Sequence, residues 1–423
     1  MKKSLFAIAA VTAFAGAAQA QSSVTVYGII DMGLNGGHQK GSTGATRAAQ
    51  TPFNNTGMQF GQNAETTSRL GFRGTEDLGG GKSAFFTLET ALTPDGNNMF
   101  GTGGTANRVS IVGLANKGMG RMAIGTNYTP LFSNTAATSP GQLNNIMGDI
   151  IYGAQTANGI TGFGTTASAP ALAANNANSG TDVGFTVRTA NMLRIDTDPV
   201  AGFVGQAFYS MDNTTDAQTG TTTAANRTGG KNDRNGWGLG TTYTFKQLLV
   251  AANYQSLVAT NPYAAATNGS AVAPVTASVP ATGTPAIFGS SVNTGVNMKD
   301  NQWFAGATYN FGILKAYAQY INRKATSQRD ATQYATRTGQ QIGVRGNWTP
   351  TIESWASIGT GKYMTYGSTA PTVNFNGYQV GTNYILSKRT NLYGIYGATN
   401  TGTSSAGTYF NGAQYAVGVR HTF

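Results

Sequence analysis

Hydrophobic and polar residues alternate along most of this chain with a period of two. In "SSVTVYGIIDMGL", Val24, Val26, Gly28, Ile30 and Met32 fall on one face, and Thr25, Tyr27, Ile29 and Asp31 on the other. That is the signature of a strand with two different environments on its two sides. The rhythm recurs in "SRLGFRGT", "SAFFTLETAL", "NRVSIVGL" and "GRMAIGTNY". It continues in "VGFTVRTANMLRI", "VAGFVGQAFYSM", "NGWGLGTTYTF" and "QLLVAANYQSL". The last third supplies "QWFAGATYNF", "LKAYAQYIN", "GQQIGVRGNW", "ESWASIGTGKY", "GYQVGTNYIL", "NLYGIYGAT" and "YAVGVRHTF", which makes sixteen predicted strands.

The connections alternate in length. Short ones such as "EDLGGGK", "NKGMG", "DTDP", "SKRT" and "FKQ" are separated by long polar ones near 35–66, 93–106, 127–180, 212–233, 258–300, 323–337, 364–375 and 400–409. Tight turns at one end and long loops at the other are the asymmetry of an outer-membrane barrel. An even strand number returns both ends of the sheet to the same side. No composition break divides the chain, so one domain is expected.

The faces decide between water and lipid. One carries Leu, Val, Phe and Trp; the other carries Gly, Thr, Asn, Gln, Ser and Tyr with scattered Arg, Glu and Asp. A closed barrel in lipid requires such a pair, one face toward acyl chains and one toward an aqueous lumen. Sixteen strands leave room for a water-filled channel. Aromatic residues near strand ends (Tyr209, Tyr243, Phe245, Tyr309, Phe311, Trp348, Tyr384 and Phe423) suit the two membrane interfaces. The fold class expected is therefore all-β, a 16-stranded antiparallel transmembrane barrel.

Composition sharpens this. Only 10% of the residues are charged, yet hydrophobic residues make up 40% and Gly reaches 58. A disordered chain would not carry 20 Phe, 19 Tyr and 4 Trp. The start, Met1-Lys2-Lys3 followed by the apolar run "SLFAIAAVTAFAGAA" and the small-x-small "AQA" at Ala18–Ala20, reads as an export signal over residues 1–20. The barrel is then expected over residues 21–423. Removing Lys2 and Lys3 lowers the formal charge from +11 to +9.

Other functions find little support. With no Cys, thiol chemistry, disulfides and thiolate metal sites are excluded. His38 and His421 are the only histidines, and no Ser/His/Asp grouping or metal-ligand cluster is visible. Neither catalytic residues nor a metal or other cofactor is expected. "GGGKS" at 79–83 lacks the P-loop spacing, with Glu76 where a glycine is needed, and a strand follows it. Scattered Arg on alternating strands does not form a phosphate-tracking patch, so nucleic acid is not an expected partner.

The segments "VTVYGIIDMGL", "SRLGFRGTEDLGGGKSAFFTLET", "NRVSIVGL", "IGTNYTPLF" and "YAVGVRHTF" together resemble the Gram-negative general porins, in particular their beta-proteobacterial branch. The resemblance covers essentially the whole chain after the export signal. It implies a homotrimer in the outer membrane, with each barrel passing small ions and hydrophilic solutes by diffusion. It also implies a long third loop folded inward, facing basic residues on the wall. Carried onto this chain, Arg69, Arg108 and Arg188 match wall arginines of such a constriction, and Arg73 shares the face of Arg69. The loop would include "NYTPLFSNTAATSPGQLNNIMGDIIYG", whose sole carboxylate is Asp149. The family usually places several acids there. An acid-poor loop against arginines implies a preference for anions.

The last strand sets Tyr415, Val417, Val419, His421 and Phe423 on the lipid side and Arg420 inward. It is expected to close against "SSVTVYGII", since an open edge in hydrocarbon leaves backbone groups unmet. In the family such a strand is also the signal read by the barrel-assembly machinery. Outer-membrane lipid and lipopolysaccharide are the surroundings expected for the outer face. Two other readings stand beside a general diffusion channel: an adhesin or receptor barrel working through its long loops, and a substrate-selective porin.

Overall fold

The computed structural model describes residues 23–43, 51–100, 107–152, 188–219, 228–260, 298–328, 331–332, 334–366, 372–403 and 409–423. The expected export signal lies outside them. The strands are β1 (Ser23–Thr43), β2 (Thr51–Gln62), β3 (Arg69–Gly79), β4 (Lys82–Ala91), β5 (Asn107–Asn116) and β6 (Gly120–Tyr128). After the helix α1 (Pro130–Ala137) come β7 (Arg188–Thr197), β8 (Phe203–Thr219), β9 (Thr228–Phe245), β10 (Leu248–Thr260) and β11 (Met298–Asn310). The last are β12 (Leu314–Ser327), β13 (Tyr334–Thr349), β14 (Ile352–Tyr366), β15 (Val373–Ile385), β16 (Thr390–Thr403) and β17 (Tyr409–Thr422). Among the described residues no helix is long and apolar enough to cross a membrane.

All 17 strands belong to one antiparallel sheet that closes on itself. They form sixteen staves, because β2 and β3 are two halves of a single stave and share β1 as partner. Met32–Thr43 of β1 pair with β2, and Ser23–Ile29 pair with β3. The six residues 63–68 stand opposite only Ile30 and Asp31, so the chain bulges out of the ladder there.

Closure is made by β17 running from Ile29↔Thr422 to Gly41↔Phe410. The expected partner segment, Ser22 to Ile30, is thus corrected: β17 takes the second half of β1, and the first half goes to β3. Strands in a barrel are tilted and their register is staggered, so the first strand meets its two neighbours at different heights. One end of the seam is tied by two backbone bonds of 3.1 Å, Gly28 N–H to Phe423 O and Phe423 N–H to Gly28 O.

Three connections expected as loops are largely strand. Much of 35–66, 212–233 and 323–337 continues the hairpins β1–β2, β8–β9 and β12–β13. These extensions reach beyond the apolar band. A ladder in water needs no apolar face, so its residues carry no alternating signal. The tight-turn end matched expectation. There, Gly79, Gly80 and Gly81 all take positive φ (81°, 61° and 79°) in the β3–β4 turn, where side chains other than glycine are strained.

The outer surface carries two aromatic rings. At the tight-turn end lie Phe203, Tyr243, Phe245, Tyr309, Phe311, Trp348, Tyr384 and Phe423, with Phe203 stacked on Tyr243 at 4.3 Å. At the other end lie Tyr209, Trp237, Tyr254, Trp303, Tyr320, Tyr378, Tyr396 and Tyr415. The pairs Trp237–Tyr254 and Trp303–Tyr320 are both 5.4 Å apart. Along β8, β11 and β15 the two rings stand six residues apart, about 20 Å of strand. Between them most outward residues are apolar, including Val250, Ile342, Ile358 and Val380, with Thr241 and Thr382 among the exceptions.

The rings cover only β8–β17. Among the described residues of β1–β7 the outward positions hold mainly apolar residues such as Val24, Val26, Phe72, Leu88, Val112, Leu114 and Ile124, with polar ones such as Ser110, His38 and Lys40 but neither Tyr nor Trp.

The Phe423 ring lies across Gly28 at the seam. A Cβ there would overlap the ring and come within 2.6 Å of the Arg69 carbonyl oxygen. Gly28→Val is expected to weaken barrel closure by ~1–3 kcal/mol, the cost of overpacking. Refolding in detergent, followed by heat-modifiable gel mobility against urea, checks this. An unchanged midpoint would remove the seam from the account.

Candidate functional site

The inward face gathers charges along one wall. Arg69 begins β3, Arg108 lies near the start of β5 and Arg188 begins β7. Glu89 on β4 stands among them. Its Oε1 accepts Arg108 Nε at 2.7 Å and lies 3.6 Å from Arg69. Tyr27 donates to its Oε2 at 3.2 Å. Arg108 also donates to the Tyr128 hydroxyl at 2.8 Å, and the Arg188 guanidinium lies 5.3 Å from that ring's centre. Arg73 sits four residues further along β3, exposed, with its guanidinium 5.3 Å from the Tyr27 ring centre. Two arginines therefore share one carboxylate, a third lies against the Tyr128 ring beside them, and the fourth is one ring away.

Arg108 reaches this wall through a bulge. Ser110, Val112 and Leu114 set the outward parity of β5, which by simple alternation would send Arg108 to lipid. The register slips there, with Glu89 opposite Val109 and Thr90 opposite Asn107. Arg108 is the extra residue, and the bulge re-aims it inward. An arginine left in mid-bilayer would cost ~2–4 kcal/mol.

The segment 129–152 leaves β6 beside this cluster and runs along the inner wall. Thr129 caps α1, its hydroxyl accepting Phe132 N–H at 3.2 Å, and Pro130 fits the first turn. Phe132 stacks on Tyr128 at 4.9 Å and meets Tyr152 at 5.9 Å. From there the segment is held by side chains of the opposite wall. Asn253 accepts from Asn134 at 2.9 Å, and Gln319 donates to the Thr135 carbonyl at 3.0 Å. Arg345 Nε donates to the Pro140 carbonyl at 2.9 Å, and Arg337 donates to that of Ile150.

Asp149 is buried and turned into its own segment. Its Oδ1 accepts the N–H groups of Ile151 (2.9 Å) and Tyr152 (2.8 Å). Burial pushes this carboxyl above the usual carboxylate range, against the pull of those N–H groups. Asp149 is thus not brought together with the wall arginines by any ion pair.

The bulge at 63–68 receives the segment on its far side. Asp31, fully buried on β1, accepts the N–H groups of Glu65 (2.8 Å) and Thr66 (2.6 Å) and the Tyr393 hydroxyl (2.6 Å). This fixes the bulge pointing inward. Asn145 then bonds to it twice, N–H to Ala64 O at 2.9 Å and side chain to Asn63 O at 2.7 Å. The remaining inward arginines are engaged elsewhere: Arg194 with Asp196 (2.8 Å), Arg323 with Asp300 (2.8 Å) and Arg345 with Glu353 (2.7 Å). On β17, Tyr415, Val417, Val419, His421 and Phe423 all face outward, and Arg420 faces in, 3.6 Å from Glu65. His421 Nδ1 lies 2.9 Å from the Thr390 hydroxyl.

The profile of the Gram-negative porins matches residues 7–404. The chain belongs to the Gram-negative porin family. Along their full lengths, it is 29% identical to an outer membrane porin protein of Bordetella pertussis. Over 31% of its length it is 39% identical to outer membrane porin protein 32 of Delftia acidovorans, covering 33% of that chain. Among solved structures it resembles the anion-selective porin from Comamonas acidovorans, with a TM-score of 0.62 and 20% identity over 95% of this chain and 100% of that one. As an outer-membrane porin the protein is a passive diffusion channel and not an enzyme.

Reading the sequence missed several residues on which this porin's lumen turns. Glu89 shares the inward parity of Ser83 and Thr87 in "SAFFTLET", which could have marked it. Nothing local marks Asp31 as the anchor of a bulge, because its partners arrive from 34 to 362 residues away. Glu89→Gln removes the carboxylate that Arg69 and Arg108 share. The permeability ratio of anion to cation in this porin is expected to rise about two-fold or more, with the fold retained. Reversal potentials across a salt gradient measure it, and an unmoved ratio would exclude Glu89 from the conducting path.

Proposed function

We propose that this porin is a homotrimeric general diffusion channel with a preference for anions, narrowed by the segment 129–152. The observation that carries the preference is the grouping of Arg69 and Arg108 on Glu89 with Arg188 beside them on the Tyr128 ring, opposite a segment whose only carboxylate is spent on its own backbone. A wall of arginines favours anions over cations. Arg73, exposed further toward the tight-turn end, extends the positive path. The relative named as anion-selective agrees with this reading.

The trimer reading draws on the outer surface. Interfacial Tyr and Trp serve a boundary with lipid, and β1–β7 lack them. That face suits other copies of the chain, where its exposed Phe60 and Met58 would also be covered. The OmpT of Vibrio cholerae, a structural neighbour, is described in a trimer form. Beyond the loop-side ring on β13–β15, outward residues turn polar (Gln340, Thr360, Lys362, Asn374, Asn376), a chemistry suited to lipopolysaccharide head groups. The export signal at 1–20 and recognition of the outward face of β17 by the assembly machinery complete the proposal.

Purified protein in a planar bilayer is expected to open in groups of three equal steps, with a reversal potential on the anion side. A cation-side potential overturns the selectivity. Single cysteines in the Cys-free chain test the interface: Val112→Cys and Ile124→Cys should crosslink into covalent oligomers, and Ile358→Cys should not. The reverse pattern would place the interface on the ringed face. Deleting Phe423 should lower the trimer level in cells by far more than the loss of its seam contacts lowers the yield of refolding in detergent.

A further inference from the structure

The tripeptide Gly-x-Gln occurs on alternate staves at Gly339–Gln341 (β13), Gly377–Gln379 (β15) and Gly412–Gln414 (β17). All six residues face inward. The three glutamines bond the backbone or side chains of 144–150. Gln341 Oε1 accepts Ile150 N–H at 2.8 Å, and Gln414 Oε1 accepts Met147 N–H at 3.1 Å. Gln379 donates to the carbonyls of Ile146 and Met147 and exchanges bonds of 2.9 and 3.0 Å with the Asn144 amide.

The glycines do the complementary thing. A Cβ at Gly339 would stand 3.3 Å from Ile150 O, one at Gly377 2.9 Å from Gly148 O, and one at Gly412 2.9 Å from Met147 Sδ. Register joins them into a lane. Gly306, Gln319, Gln341, Gly359, Gly377 and, beyond Thr399, Gly412 are successive cross-strand partners from β11 to β17. The row beside it runs Gly343, Ser357, Gln379, Gly397 and Gln414. A Cβ at Gly343 would overlap Pro140, and one at Gly397 would overlap the Met147 carbonyl oxygen. The tripeptide also stands at Gly37–Gln39 on β1 and Gly57–Gln59 on β2, off this lane; Gln39 makes no bond with 129–152, and a Cβ at Gly37 would meet the β17 backbone instead.

The geometry points to this two-row lane as the seat that sets the width of the channel: glycines let the segment 129–152 lie flat on the wall, and glutamines hold its backbone there. This rests on the reading of that segment as the one that narrows the pore. It assigns a positioning role to Gly359, Gly377, Gly397, Gln341, Gln379 and Gln414, none of which bears charge. A segment lifted off the lane by one methyl group moves toward Arg69 and Arg108 and narrows the opening between them.

Gly394 and Gly402 lie on the same strand as Gly397, and a Cβ at either meets nothing within 4 Å. Gly397→Ala is expected to lower single-channel conductance to roughly half, with Gly394→Ala and Gly402→Ala within about a tenth of the parent. Equal conductance in all three overturns the seat. A second measurement covers a Gly397→Ala chain that fails to fold. With Met147→Cys as the sole thiol, labelling by a charged maleimide should be at least about ten-fold faster when Gln341, Gln379 and Gln414 are all alanine. Unchanged labelling in a folded barrel overturns the clamp. Labelling needs no conduction, so a parent protein that forms no channels would defeat the porin reading while leaving this test standing.

Discussion

A peptide N–H or C=O without a partner in hydrocarbon costs several kcal/mol, and the rest of this structure follows from avoiding that. The sheet has to close, and β1 does the closing three times over, against β3, β2 and β17. Once closed, the wall has two fixed faces, and residue parity decides everything that a side chain touches. Bulges are the places where parity is broken on purpose: Arg108 is turned from lipid to lumen by one, and the stretch 63–68 is pushed into the lumen by another.

Inside, the barrel handles charge by pairing it at the rim of the seat and leaving it grouped on one wall. Arg337 and Arg345 are consumed by carbonyls of Ile150 and Pro140, and Arg323 by Asp300. These contacts are polar but local. The cluster of Arg69, Arg108 and Arg188 is different, since one carboxylate serves it and the nearest segment offers none. Electrostatics at that wall is therefore set as much by where carboxylates are missing as by where guanidinium groups stand.

Much of this was legible in the sequence. Period-two alternation fixed the strands inside the membrane because lipid and water differ so sharply, and aromatic residues marked where that contrast ends. Beyond the rings both faces meet water, so the loop-side parts of β2, β8 and β9 carried no pattern and read as loop. The inward turn of Arg108 depended on a one-residue slip that composition cannot show. The lane of glycines was hidden for another reason: Gly306, Gly359 and Gly397 look like any of the 58 glycines until the register sets them side by side.

The attachment of 129–152 has a mechanical meaning. Phe132 packs near one wall, Pro140 to Ile150 are held on the lane, and Asn145 is bonded to the bulge that Asp31 fixes. This is a beam supported at several points and not a cantilever hung from β6. Supported beams bend little under a distributed load, so the opening beside it should hold its shape against the field and the solute traffic that pass through. Flexibility, if the channel needs any, would have to enter by releasing a support rather than by bending the span.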